Sequence, residues 1–339
     1  MKIAVYAICR DEQDQAEAWL GNVAEADYVC VLDTGSRDGT WERLQAARAT
    51  GLTRPGGGAG GRLLTAQQSF SPWRFDAARN ASLTLVPDQA QLLVCVDLDE
   101  RFTPGWAEVL RRQWDGRSRV QYPYIWSHQE DGSPGVCFLA DKMHPPGYSW
   151  RHPVHECLYR QQGGAESRQV LQDLELHHWP DAAKSRSQYL PLLELAVAEE
   201  PDNDRMLHYL GREYMFQGRW GQALEALARH LNCPAARWDA ERAASMRYLA
   251  RCQLALGREE EAELWLKAAV YEAPQYREAY VELARLYERQ GRWPACRRAC
   301  RQALSIRRRP LSYICEAWAW NGGPEALLER SKYHERNAN

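Results

Sequence analysis

A repeat of 34 residues governs the second half of the chain. One period runs from Glu241 to Pro274 (ERAASMRYLARCQLALGREEEAELWLKAAVYEAP), and the next restates its landmarks, with Ala250 answered by Ala284 and Gly257 by Gly291. The preceding period carries Gly211 and Gly218, each 39 residues before Ala250 and Gly257, so a five-residue insertion falls around CPAARW. Pro201 and Pro274 close matching stretches, AVAEEP and AVYEAP. Small residues recurring where two helices must approach, with proline ending the second helix, describe stacked helical hairpins that bury a face only against their neighbours.

This pattern predicts an all-α, tetratricopeptide-like superhelical domain over residues 182–325, of about three and a half repeats, followed by a tail over 326–339. Residues 1–181 read differently. KIAVYAIC, DYVCVLD and QLLVCVDLDE are apolar, β-branched runs separated by helical stretches, around Ala16–Ala24, Trp41–Ala49 and FDAARNASL. Strands alternating with helices predict a Rossmann-like α/β domain with a mostly parallel sheet. RPGGGAGGR (Arg54–Arg62) reads as a flexible surface loop.

In 339 residues, 45% hydrophobic and 26% charged side chains describe a folded protein, and a net charge of −2 gives no sign of nucleic-acid binding. No apolar run is long enough to span a bilayer. Ten cysteines without CxxC spacing read as buried free thiols in a reducing compartment, with the cytoplasm as the expected location.

Chemistry concentrates at strand ends. Asp97 and Asp99 flank one residue where an apolar strand stops, a placement suited to a hard divalent cation. Asp33 ends the second strand before a turn through Gly35, where Ser36 and Asp38 are placed to cap a helix. Asp141 to Tyr159 packs histidines, aromatics and acids into a stretch without periodicity, and two further histidines, His177 and His178, end a strand-like run.

AICRDE, VLDTGSRDGT, RFDAARNASL and VCVDLDERFTPGW together resemble family 2 glycosyltransferases of the GT-A fold across the first 105 or so residues. The resemblance implies a UDP-sugar (UDP-glucose by default) as donor and Mn²⁺ or Mg²⁺ held by Asp97, Asp99 and His178, with His177 the other choice for the third ligand. It implies donor binding around Ile8, Arg10, Glu12, Asp33, Gly35, Arg79, Asn80, Asp97, Lys142 and Trp150. Thr34 stands where many members carry a second Asp. GYSWRHPVHE resembles the acceptor-side segment of repeat-bearing members, which nominates Glu156 as the base of an inverting transfer, then His155 and Asp141. Trp150, Trp126 or Tyr148 would stack on a sugar, and Lys142, Lys184 and Arg186 would neutralise the leaving diphosphate.

Coupled to a repeat domain, such a transferase resembles sublancin-type peptide S-glycosyltransferases, which implies a peptide or protein acceptor. A glycan or lipid-linked acceptor is the competing reading. A reading of another class is a tetratricopeptide adaptor whose first domain is catalytically inert. Self-association through the repeats, as a homodimer, is a further expectation.

Overall fold

The first apolar run forms β1 (Ile3–Cys9) in the computed structural model, which describes residues 1–180 and 188–337. The chain divides into two compact units, Met1–Ser185 and Arg186–Asn339.

In the first unit the elements are α1 (Gln13–Val23), β2 (Tyr28–Asp33), α2 (Thr40–Thr50), β3 (Arg62–Gln67), α3 (Phe75–Leu83), β4 (Leu92–Cys95) and β5 (Glu100–Phe102). They continue with α4 (Trp106–Gln113), β6 (Arg119–Ile125), β7 (Cys137–His144), β8 (Tyr148–Arg151), β9 (Cys157–Arg160), β10 (Arg168–Val170) and β11 (Leu176–His178). β1 is apolar throughout because both its faces are covered. Ile3, Val5 and Ala7 join the core that holds Trp19, Leu44, Trp106 and Leu110 from α1, α2 and α4. Ala4 and Tyr6 point into the other, with Tyr148, Trp150 and Leu158 from a β8–β9 hairpin and Leu83 from α3.

The sheet runs β3-β2-β1-β4-β7-β6-β11-β5, with β10 beside β6. Its β3-β2-β1-β4 half is parallel, but β7 is antiparallel to both β4 and β6, and β5 is antiparallel to β11. The expectation of a Rossmann-like, mostly parallel GT-A sheet is therefore corrected to a mixed sheet. A parallel neighbour needs a long crossover, whereas an antiparallel one needs only a turn. β6 and β7 are joined without a helix, through a bridge between His128 and Pro134 around Asp131-Gly132. The glycine-rich stretch is a turn bridged from Thr53 to Ala59, and its last residue, Arg62, opens β3.

The second unit is helical: α5 (Tyr189–Glu199), α6 (Asp204–Phe216), α7 (Trp220–Asn232), α8 (Asp239–Ala255), α9 (Glu259–Glu272), α10 (Arg277–Arg289), α11 (Trp293–Ser305) and α12 (Gly323–Asn337). Helices α6/α7, α8/α9 and α10/α11 pair as hairpins, and α8 also packs on α6 and α10. Each hairpin turns on a left-handed glycine, Gly218, Gly257 or Gly291, with φ of 70°, 75° and 66°. At each, the next N–H (Arg219, Arg258, Arg292) returns to the carbonyl five residues back (Tyr214, Gln253, Tyr287) at 2.8–2.9 Å. The glycine N–H bonds the carbonyl three residues back, at 3.0–3.1 Å. This double closure satisfies the last carbonyls of the first helix and recurs because the glycines recur. The stretch expected to be a tail, 326–339, lies largely in α12.

Gly211 sits where α6 meets α7: a Cβ there would lie 2.5 Å from Leu227 Cγ and 3.1 Å from its backbone nitrogen. Gly211→Ala should therefore cost about 1–3 kcal/mol through overpacking. Gly221→Ala, in α7 with open space around it, should instead stabilise by about 0.4–1 kcal/mol. Urea unfolding of the two variants beside the parent reads both signs, and equal effects would refute the close approach.

Candidate functional site

Because β1, β2 and β4 are parallel, Cys9, Asp33 and Asp97 come to one edge of the sheet. The loops leaving β1 and β2 are fastened to each other there. The N–H groups of Asp11, Glu12 and Gln13 donate to Ser36 Oγ (2.9 Å), Thr40 Oγ1 (2.8 Å) and Asp38 Oδ2 (3.0 Å). In return Arg37 and Gly39 donate their N–H groups to Asp11 Oδ1 (2.6 Å) and Gln13 Oε1 (2.8 Å). The polar residues of both motifs thus serve as mutual caps. Asp33, fully buried, accepts at Oδ1 from the N–H groups of Gly35 (2.9 Å) and Ser36 (3.0 Å), with Gly35 at φ 107°. Ile8 pairs with Leu32 within the sheet, and Arg10 is exposed, 3.9 Å from Asp11. An open cleft of about 310 Å³ lies nearby, lined by Asp11, Glu12, Gln13, Asp14, Gln15, Asp38 and Pro180. Of the candidate residues, Glu12 faces it.

The turn Asp97–Glu100 is the most charged part of the unit. Arg79, buried on α3, donates Nη1 and Nη2 to Asp97 Oδ1 (2.8 Å) and Oδ2 (3.1 Å), and Nε to Glu156. Lys142 Nζ lies 3.1 Å from Asp97 Oδ2 and 2.7 Å from Glu100 Oε1, and Tyr124 donates its hydroxyl to the same Glu100 oxygen at 2.8 Å. Burial by itself would raise the Asp97 carboxyl, but Arg79 and Lys142 outweigh it and hold it well below the usual carboxylate range. Glu100, almost completely buried, is raised by that burial and by Asp97 and Asp99 beside it.

Asp99 meets His178 Nε2 at 3.3 Å, and His178 Nδ1 lies 3.1 Å from the Trp126 carbonyl. Burial opposes charge on His178, yet Asp99 lifts its pKa above the ordinary imidazole value. His177 turns elsewhere, stacking on His128 with Nδ1 3.0 Å from His128 Nε2.

The remaining candidates are also engaged from within. Asn80 exchanges two 2.8 Å hydrogen bonds with the Trp150 backbone. The Trp150 ring is buried, stacks beneath Arg79 at 5.2 Å and donates Nε1–H to Tyr6 at 3.0 Å, so it is core and not a sugar platform. Tyr148 is buried under Arg119, while Trp126 is partly exposed. Asp141 pairs with Arg119 at 2.9 Å, and His155 is held at φ 49°. Lys184 and Arg186 lie outside the described residues. Both Asp97 oxygens are bonded by cationic side chains and Glu156 is bonded by Arg79, which fits a salt-bridge network.

A second site, which the sequence did not disclose, lies in the helical unit. Arg212, Arg251 and Arg285 occupy one position of the repeat, 39 and then 34 residues apart, on α6, α8 and α10. The segment Leu311–Trp320, between α11 and α12, contacts these three helices. Tyr313 lies 6.2 Å from Tyr209 in a stacked orientation and donates to Glu241. Glu316 bonds Arg247 and, at 2.8 Å, Arg251. Trp318 lies 4.3 Å beneath Arg285, and Trp320 lies 4.4 Å from Arg277 and donates to Glu278 at 2.8 Å. Arg212 stacks on Tyr209 at 4.6 Å, and its buried Nε has no hydrogen-bond partner among the described residues.

No protein-family model matches the chain, and no curated protein matches it. The chain is similar to the solved structure of MamA protein (19% identity over 44% of this chain and 78% of that one, TM-score 0.32). It is also similar to the Sgt2 TPR domain from Aspergillus fumigatus (17% identity, 40% of this chain and 81% of that one, TM-score 0.32). A third is the APC/C hetero-tetramer Cut9-Hcn1 (15% identity, 42% of this chain and 26% of that one, TM-score 0.34). One of the three is a tetratricopeptide-repeat (TPR) domain by name, and none is a glycosyltransferase. The expectation of a family 2, GT-A, UDP-sugar-dependent glycosyltransferase acting through a DxD-bound manganese is corrected accordingly. Asp97, one of the acids that suggested it, is paired with Arg79 and Lys142. Among the described residues no helix is long and apolar enough to cross a membrane.

Arg79→Met strands Glu156 and leaves Asp97 with Lys142 alone, and should destabilise the chain by about 3–5 kcal/mol in urea unfolding. Adding Glu156→Gln should recover part of the loss, and a cost below about 1 kcal/mol for Arg79→Met alone would refute the network. A pH effect follows from His144, whose Nδ1 lies 2.8 Å from the Pro145 carbonyl and whose Nε2 lies 2.8 Å from the Tyr6 hydroxyl. Burial lowers its pKa to about 4. The unfolded chain takes that proton near pH 6.5, so the stability contributed above 6.5 is lost as pH falls towards 4, at about 1.4 kcal/mol per unit. His144→Gln should flatten that limb of the stability–pH curve, and an unchanged limb would contradict the assignment.

Proposed function

We propose that the chain is a protein-interaction adaptor that binds an extended, acidic and aromatic segment of a partner protein along α6, α8 and α10, and that its α/β unit performs no catalytic step. The observation that supports this is the way the chain's own Leu311–Trp320 is held there, with Glu316 between Arg247 and Arg251 and tryptophans over Arg277 and Arg285. Carboxylate–guanidinium pairs and cation–π contacts are chemistry that recognises acidic, aromatic peptides. Arg212 repeats the position of Arg251 but has an unmatched buried donor, which supports assigning it to a carboxylate brought by the partner. Ten cysteines, eight of them buried and none in a disulfide, support a reducing, cytoplasmic setting.

A fluorescein-labelled peptide in which Glu and Trp alternate with Ala, titrated into the full chain and followed by anisotropy, tests the reading. Saturable binding is expected, weaker in high salt and weakened about tenfold or more by Arg212→Ala. The same peptide with Lys in place of Glu should not bind. Absence of saturable binding, or indifference to Arg212→Ala, would sink the adaptor reading.

A further inference from the structure

Under the Tyr209 end of this face lies a polar cluster that the adaptor reading does not use. His208 on α6, His230 on α7, and Glu241 and Ser245 on α8 are all buried, at 0%, 0%, 5% and 0% exposure. Ser245 Oγ lies 2.7 Å from His208 Nδ1 and 2.9 Å from His230 Nδ1. A hydroxyl oxygen has two lone pairs, so it can accept an N–H from both rings. In that arrangement both Nε2 atoms carry lone pairs, and neither has a hydrogen-bond partner among the described residues. Glu241 Oε1 is the third atom of the group: it is 3.6 Å from His230 Nε2, too far for a hydrogen bond, while Oε2 takes the Tyr313 hydroxyl. Arg205 acts on the Glu241 carboxylate electrostatically.

The ligand atoms of His208, His230 and Glu241 all lie within 4.8 Å of one another. Ligands about 2.1 Å from a tetrahedral ion stand about 3.4 Å apart, so the 3.6 Å between His230 and Glu241 already matches one edge. We infer that His208 Nε2, His230 Nε2 and Glu241 Oε1 bind a divalent transition-metal ion, zinc foremost, within the helical unit. Two imidazoles with one carboxylate suit zinc and its neighbours and do not suit calcium or magnesium. Ser245 acts as the positioning residue, fixing both ring orientations and both tautomers through Nδ1. Three protein ligands leave one position for water. The ion would tie α6, α7 and α8 together, and through Tyr313 the segment that crosses them. This site stands independently of the adaptor reading.

The test uses the full-length, tag-free chain stripped with EDTA, titrated with zinc against a chromophoric chelator, with cobalt as a spectroscopic stand-in. One zinc per chain is expected, together with a higher melting temperature and tetrahedral cobalt bands free of thiolate charge transfer. His230→Ala and Glu241→Gln should each weaken binding at least tenfold, and His128→Ala, in the half-buried His128–His177 pair, should leave it unchanged. If His230→Ala does not fold, Glu241→Gln decides. If neither folds, the wild-type stoichiometry and cobalt spectrum decide. A folded chain that takes no stoichiometric zinc, or binding lost in His128→Ala and kept in Glu241→Gln, would overturn the assignment.

Discussion

A guanidinium keeps its charge at any pH a protein tolerates, so a fold that buries one must bring carboxylates to it. Both units of this chain are organised around that obligation. Arg79 draws Asp97 from the end of β4 and Glu156 from the β8–β9 hairpin, joining α3 to elements far away in sequence. Arg247, 2% exposed, draws Glu282 from α10 at 2.8 Å and Glu316 from the segment after α11. Such pairs add little net stability over an apolar core of equal volume, but losing one partner leaves an uncompensated buried charge. They act as fasteners that specify which segments meet.

The repeat was legible because its signals are local. A left-handed glycine, a small residue where helices touch and a proline after the second helix are each dictated by backbone geometry within a few residues, so Gly211, Gly218, Gly257 and Gly291 could be read in register. The strands of the parallel half were legible for a similar reason, since β1, β2 and β4 are buried on both faces and their sequences are apolar but for Asp33 at the end of β2. The antiparallel half was harder. β6 and β7 mix tyrosine, proline, aspartate and lysine with apolar residues, and the Asp131-Gly132 turn signal between them stood unused.

The candidate site depends on a different link. Sequence places Asp33, Asp97, Asp99 and Glu156 at strand ends and in loops, where carboxylates often meet ligands. Whether a carboxylate meets a ligand or an arginine of the same chain depends on contacts such as Arg79 with Glu156, 77 residues apart, and pattern does not encode them. Trp150 shows the same limit: an aromatic that could have stacked on a sugar lies buried, its indole N–H on Tyr6. His208, His230 and Glu241 come one from each of three helices, with no spacing to mark them.

The segment laid across α6, α8 and α10 is covalently tethered to the surface it covers. A tethered occupant competes as though present at about millimolar concentration, whatever the amount of protein in solution. A free segment reaching for the same arginines therefore binds with an affinity scaled down by the fraction of chains whose own segment has lifted away. On the adaptor reading, such a surface answers best to partners that bring several contacts at once, or that are held nearby by another attachment, and an isolated acidic peptide saturates it only at concentrations that displace the tethered segment. On that reading, the Leu311–Trp320 segment works as a threshold on what the helical unit responds to.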